Sequence, residues 1–373
     1  MNPRNAADAA ARNAADAAAM KVLVAGVGGM GASHALGYSK IPGFQIAGLV
    51  VAKNVDRAKQ LASDLKISVP IYTDYYKAMK ETRPDVVSIN TLADTHAAYS
   101  IHAMRQGCHI FMEKPIAHTV AEAEEVARVV KETKRKMVIG YILRVHPAWK
   151  RFIELAQTLG KPLIMRMNLN QQSYGHEWEV HKSFIANMPP LVDCGVHYVD
   201  VMCQMTRAKP TLVQGIAARV SDEVAPDQHN YGALQVVFDD GSVGWYEVGW
   251  GPMMSRTAFF VKDVIGPKGC VSIDKDTSSV DPSDVSTHTT VDTIILHSSA
   301  MDANGLQAKK DQIIKIEDEP DHHELCKREQ EYLLKAITED IDLTDHVADA
   351  VNSLKICFAA VDSYTTGKAI RLA

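Results

Sequence analysis

Lys114, Asp193 and His197 are the residues whose types and settings suit them to chemistry. Lys114 stands in Glu113-Lys114-Pro115, directly after the apolar run His109–Met112. At the end of a parallel strand a lysine donates a hydrogen bond to a reacting oxygen, and desolvation lowers its pKa so that it can share in proton transfer. The stretch Pro189 to Asp200 places polar groups at 193, 197 and 200, among Val192, Val196, Val199 and Val201. On a helix these are i, i+4 and i+7, one face. A polar stripe on an otherwise apolar helix calls for a partner or a ligand. His197 has the ordinary pKa of a general base near neutral pH. Asp193, one turn earlier, would hold its tautomer or the substrate. A purely structural Asp–His hydrogen bond explains the same pattern, and Glu-Lys-Pro alone also describes a surface strand end.

A second constellation is Gly26-Val27-Gly28-Gly29-Met30-Gly31. It has the form G-x-G-x-x-G between a predicted strand and helix. The first glycine permits a tight turn, the second lets a pyrophosphate approach the backbone, and the third allows close helix–strand packing. The helix N-terminus adds unpaired N–H groups and a positive dipole end. This context points to a dinucleotide; a tight turn without a ligand is the plainer alternative. An acid about 20 residues past the loop would bind the ribose 2′-hydroxyl of NAD. Here the stretch is Val51-Ala52-Lys53-Asn54. Ala52 offers no carboxylate, and Lys53 can meet a 2′-phosphate as a point charge. The balance tilts to NADP over NAD, with NAD held through Asn54 or the backbone as the alternative.

The elements that must position these groups alternate regularly from Lys21. Strands are predicted at Lys21–Ala25, Phe44–Val51, Pro70–Tyr72, Asp85–Asn90, His109–Glu113 and Met137–Tyr141. Helices are predicted at Gly31–Lys40, Asp56–Leu65, Asp74–Lys80 and His96–Gln106, and from a Thr119/Glu122 capping box to about Arg135. This βα alternation means a parallel sheet covered on both faces, doubly wound by right-handed crossovers. After about Val145 the rhythm changes. A helix is predicted at Pro147–Leu159 and one unbroken helix at Leu191–Met205. Strand-like stretches lie at Leu163–Asn170, Thr211–Val220, Gly232–Phe238, Ser242–Gly249, Thr257–Asp263 and Gly269–Ile273, with a turn signal at Asp239-Asp240-Gly241. Helical patterns return at Glu324–Thr338 and Ala348–Thr366. Residues 275–320, rich in Ser, Thr and Asp, read as loop. The fold class is α/β: an N-terminal doubly wound domain over 20–145, then an α+β domain over 146–373 with a large, mostly antiparallel open sheet.

The totals exclude several classes. The 373 residues suit two domains. A net charge of -5 without a long basic run argues against nucleic acid. No apolar run reaches the ~18 residues of a membrane helix. The six scattered cysteines form neither CxxC pairs nor a disulfide framework, which suits a reducing cytoplasm. His322-His323 has no third ligand at useful spacing, so no metal is expected. Arg4–Ala11 is repeated word for word at 12–19. This Ala-rich stretch has no apolar face to bury and reads as an appended extension.

Taken together, these pieces resemble the Gfo/Idh/MocA oxidoreductase family. The likeness runs over nearly all of the chain from Met20. It takes in the glycine loop, Thr91 to His96, Glu113-Lys114-Pro115, Gly140 to Pro147, the D-x-G-x-H-x-x-D at 193–200, and Ala359–Leu372 with Ser363 and Gly367-Lys368. The resemblance implies a Rossmann domain, and a second domain whose open sheet mediates homodimers or homotetramers. It implies that Lys114 contacts the substrate oxygen, that His197 takes the hydroxyl proton as hydride leaves for the nicotinamide, and that Asp193 orients the substrate or assists proton transfer. It implies a cis Lys114–Pro115 bond, and cofactor contacts from the glycine loop, Ala52, Lys53, Asn54, Thr91, Leu92, His96, Glu113 and Lys114. Two departures are the missing acid at Ala52, and Leu92 where proline is common.

The family handles mostly sugars, inositols and related polyols, so a small polyhydroxylated substrate is implied. Arg144, His146, Tyr174, His176, Trp178 and His181 supply polar and aromatic groups for such a ring, Arg144, His176 and Trp178 foremost; core packing of Trp178 and surface histidines are the alternative. Beside a polyol dehydrogenase or reductase stand two other readings. One is a glycoside-cleaving enzyme using transient oxidation. The other is a nucleotide-sensing regulator, which would not need Lys114, Asp193 and His197 together.

Overall fold

A computed structural model describes residues 19–255, 261–275, 289–317 and 319–372. All but Ala19 of the expected extension lies outside these. The chain forms two compact units, one running up to Tyr141 and adding His322–Val351, the other made of Ile142–Asp321 and Asn352–Ala373.

In the first unit, β1 (Met20–Ala25), β2 (Phe44–Val50), β3 (Ile71–Tyr72), β4 (Val86–Ile89), β5 (His109–Met112) and β6 (Met137–Ile139) form a parallel sheet in the order 3-2-1-4-5-6. This is the doubly wound arrangement. Val22–Ala25 and Val86–Ile89 are buried without interruption, as strands covered on both faces must be. The helices between them are α1 (Gly29–Lys40), α2 (Val55–Asp64), α3 (Tyr75–Thr82), α4 (Ala93–Arg105) and α5 (Val120–Thr133). Side chains open several of them. Asn54 accepts from the Arg57 N–H, Asp74 from the Lys77 N–H, and Thr119 with Glu122 completes the expected capping box.

A later helix, α10 (His322–Thr338), completes this unit. Leu333 and Ala336 join a core with Val22, Tyr38, Phe44 and Phe111. Gly37 of α1 makes room for it, since a Cβ there would lie 2.1 Å from Gln330 Oε1. The domain division expected at 145/146 therefore needs correction, because 322–351 belongs with the first unit. Helical periodicity says that α10 must bury a stripe, but not against which core.

The second unit opens with a 3₁₀ turn at Ile142–Arg144 and α6 (Pro147–Thr158). Next come β7 (Ile164–Gln171), α7 (Gly175–Ile185), α8 (Pro190–Asp193) and α9 (Gly195–Thr206). The remaining strands are β8 (Pro210–Ala218), β9 (Tyr231–Phe238), β10 (Val243–Trp250), β11 (Lys262–Gly266), β12 (Gly269–Asp274), β13 (Thr293–Ser298), β14 (Gln312–Lys315) and β15 (Ile370–Arg371). They form a nine-stranded sheet in the order 14-13-12-11-7-10-9-8-15. All its pairs are antiparallel except β7 with β10. The turn at Asp239-Asp240-Gly241 joins β9 to β10, with Gly241 at φ 80°. Helix α6 packs on β12 and α9 on β10, burying Trp149, Phe152, Tyr198 and Tyr246. The Tyr198 and Tyr246 rings stack at 5.1 Å.

Three local expectations change. The segment read as loop-rich contains β13 and β14, two short strands whose adjacent apolar residues carry no period-2 alternation; 276–288 lies outside the described residues. Residues 175–185 are helical. The helix expected unbroken at Leu191–Met205 is interrupted at Cys194, after the Pro189-Pro190 start of α8. Of the strand expected at Thr257–Asp263, positions 257–260 lie outside the described residues.

The closing helix α11 (Thr344–Thr366) runs from the first unit into the second. Its second half packs closely on β8. Gly215 donates its N–H to Ser363 Oγ at 3.0 Å, and a Cβ on Gly215 would lie 2.2 Å from the Ala360 carbonyl oxygen. Gly215→Ala must displace backbone, and should lower stability by about 1–3 kcal/mol, read as a lower urea midpoint at unchanged slope.

Candidate active site

The glycine loop links β1 to α1. Gly26 has φ 87°, and a Cβ on it would lie 2.4 Å from the Asn90 carbonyl oxygen. A Cβ on Gly31 would lie 2.0 Å from the Gly26 carbonyl oxygen. Only glycine fits either place. Gly28 and Gly29 differ, because among the described residues nothing lies within 4 Å of a Cβ built on either. Gly28 is the N-cap of α1 and offers no side-chain cap. The first turn of α1 thus presents backbone donors and its positive dipole end toward open space, which fits a pyrophosphate. Val27 is buried and Met30 half-buried. Ala52 and Lys53 are exposed beyond β2, and Thr91 and Leu92 follow β4. Asn54 spends its side-chain oxygen on the α2 cap.

Lys114 is half-buried, and its bond to Pro115 is cis. Beneath it Glu113 is 8 % exposed. His34 Nε2 donates to Glu113 Oε1 at 2.6 Å, and the Lys114 N–H donates to Glu113 Oε2 at 3.2 Å. Burial pushes the Glu113 carboxyl up, but the His34 hydrogen bond, helped by the charge of Lys114, outweighs this and leaves it below its ordinary value. His96 is 1 % exposed, with Nδ1 2.8 Å from the Pro115 carbonyl oxygen and Nε2 3.1 Å from that of Thr91. Burial lowers its pKa.

The second unit carries Asp193 and His197, both half-buried, on either side of the break at Cys194. Asp200, the third member of the stripe, is fully buried. Arg144 grips it with Nε on Oδ2 at 2.8 Å and an NH2 group on Oδ1 at 2.5 Å. His181 is 8 % exposed, stacks on Trp250 at 4.5 Å and pairs its Nδ1 with Ser173 Oγ at 2.9 Å. Burial pushes its imidazole down to about 4, opposed in part by Asp193.

Several of the expected site residues have protein partners of their own. His96 is buried with its ring nitrogens beside two backbone carbonyls, to one of which its N–H donates, and Glu113 accepts from His34 and from the Lys114 N–H. Trp178 is 4 % exposed and is a core residue. His176 is exposed in the first turn of α7. The Arg144 fork holds Asp200. The sequence reading missed His34, whose burial beside Glu113 a spacing of 79 residues conceals. One signal was available: His34 lies three residues past Gly31 on the buried face of α1 with Ala35 and Tyr38. A polar group on such a face needs a partner.

Comparison with known proteins agrees with this picture. Residues 20–141 match the family model described as "Oxidoreductase family, NAD-binding Rossmann fold", and residues 150–270 match that of the GFO/IDH/MocA C-terminal domain. The chain is 28% identical over 268 residues to a scyllo-inositol 2-dehydrogenase (NAD(+)) of Bacillus subtilis, covering 68% of this chain and 73% of that one. It is 29% identical over 212 residues to a UDP-N-acetylglucosamine 3-dehydrogenase of Acidithiobacillus ferrooxidans, covering 55% and 60%. A solved NAD-binding oxidoreductase from Klebsiella pneumoniae superposes with a TM-score of 0.77 at 17% identity, over 95% of this chain and 99% of that one. At that identity the likeness shows the fold. No helix among the described residues is long and apolar enough to cross a membrane.

The buried His181 makes the second unit sensitive to acid. Its folded pKa of about 4 lies below the ordinary 6.5, so between these values the unfolded chain binds the extra proton. Stability present above pH 6.5 is lost as pH falls toward 4, by roughly 3 kcal/mol. His181→Phe keeps a ring on Trp250 and should flatten that part of the stability–pH curve in urea titrations.

Proposed function

The chain belongs to the Gfo/Idh/MocA oxidoreductase family, and on that basis we propose that it moves hydride between a nicotinamide and a hydroxyl or carbonyl carbon of an inositol, sugar or related polyol. The carrying observation is the pairing, in one unit, of a glycine loop open at Gly28 and Gly29 with a half-buried lysine at the end of β5. The bound nicotinamide supplies the two-electron acceptor. The chain's own groups handle the proton and the oxygen. Lys114 donates a hydrogen bond to the substrate oxygen, His197 accepts the hydroxyl proton during oxidation, and Asp193 orients the substrate. The substrate class is supported by the relatives, named for scyllo-inositol and for UDP-N-acetylglucosamine. NADP is the coenzyme we favour, because Lys53 is exposed beyond β2 and Ala52 supplies no acid for a ribose hydroxyl. The same reading includes a homodimer or homotetramer working in the cytoplasm.

Absorbance of the reduced nicotinamide, screened with NAD and NADP against inositols and sugars, tests the activity. No change with any of them would remove the dehydrogenase reading. With the active pair in hand, Lys114→Ala and His197→Ala should each lower kcat by about 10²–10⁴-fold. Cofactor affinity, followed by nicotinamide fluorescence, should stay within about twofold. Lys53→Ala should weaken NADPH binding by about tenfold and leave NADH binding unchanged, as expected for one lost phosphate contact.

A further inference from the structure

Behind Lys114 lies a buried set of polar groups that no step above employs. Gln330 of α10 donates from Nε2 to His34 Nδ1 at 3.0 Å and to the His34 carbonyl oxygen at 2.9 Å. An amide N–H only donates, so Nδ1 is the accepting nitrogen and the ring proton stands on Nε2. That proton goes to Glu113 Oε1 at 2.6 Å, and Glu113 Oε2 receives the Lys114 N–H at 3.2 Å. The series Gln330, His34, Glu113 and the Lys114 backbone is thus continuous, with every donor direction assigned. His34 and Gln330 are fully buried.

His34, Cys326 and Glu329 also come within metal-ligand reach of one another. Both His34 nitrogens are already used, so the hydrogen-bonded reading accounts for them and an ion does not. Glu329 is 2 % exposed, and burial with the nearby Glu113 holds its carboxyl well above the ordinary value. The groups whose charge or burial bears on Glu113 are therefore His34 from α1, Glu329 from α10, His96 from α4 and Lys114 itself.

We propose that Gln330 and His34 are positioning residues for Lys114, acting through Glu113. They keep one carboxylate ionised directly beneath the lysine and anchor the backbone from which its side chain leaves. Without the His34 donor, a carboxyl this deeply buried takes up a proton instead. The adjacent negative charge holds the lysine protonated, as an oxygen-facing donor must be. The proposal rests on the reading of Lys114 as the substrate-oxygen contact.

Competitive labelling of the full-length protein with trace acetic anhydride tests it. The extent of Lys114 acetylation is read by mass spectrometry across a pH series, and its midpoint is the lysine's own pKa. Glu113→Gln and His34→Leu should each move the midpoint down by about one unit. His34→Gln, whose amide restores a donor at the place of Nε2, should return it to within about 0.3 unit of the wild type. The alkaline limb of the kcat profile should move with it, and the cofactor dissociation constant should not. Unmoved midpoints in Glu113→Gln and His34→Leu overturn the relay. If His34→Leu does not fold, the nearly isosteric Glu113→Gln decides alone. Lys114→Ala, run alongside, separates the two claims. Full turnover in it overturns the lysine's role, whereas lost turnover with unmoved midpoints overturns the relay only.

Discussion

A carboxylate buried at the end of a strand has to be satisfied from several directions, and in the first unit that requirement ties distant pieces of chain together. Glu113 closes β5. Its partner His34 comes from α1, and the partner of His34 comes from α10, 296 residues further along. The glycine-loop helix, the strand that presents Lys114 and the returning helix therefore share one hydrogen-bonded line. Removing any member would leave a neighbour buried and unsatisfied, the arrangement that proteins tolerate least. The absence of a side chain at Gly37, where Gln330 presses against α1, belongs to the same construction.

Backbone crowding sets the loop above this line. Gly26 lies against the Asn90 carbonyl and Gly31 against the Gly26 carbonyl, so β1, β4 and α1 meet closer than any Cβ permits. The next two glycines are open. Two glycines are spent on packing and two on access, and the contrast marks where a pyrophosphate approaches. His96 adds a second clamp, its one ring N–H donating to a backbone carbonyl between Thr91 and Pro115.

The second unit treats its charges in the same way. Asp200 sits on α9 among valines and is neutralised by the Arg144 fork. Replacing one partner of such a pair strands the other, so the pair constrains how the 3₁₀ turn meets α9. Asp193 and His197 are left half-buried on either side of the helix break. The stripe read as one face of one helix thus divides into a structural member and two exposed enough for chemistry.

The amino-acid sequence by itself determined the alternation of β1 to α5, the doubly wound class, the dinucleotide loop and the candidate trio Lys114, Asp193 and His197. These are properties of local spacing: periodicity, capping residues and short motifs act over a few residues. Tertiary structure alone decided that α10 returns to the first unit, that Arg144 serves Asp200 and Trp178 the core, that β13 and β14 are strands, and that His34 lies under Lys114. Each depends on which distant surface a segment meets. A period of 3.6 or 2 shows that a face must be buried and leaves its partner open. The glycine loop belongs to both accounts. Its spacing announced a dinucleotide, and only the packed backbone showed which of its glycines are closed by neighbours and which remain open to receive one.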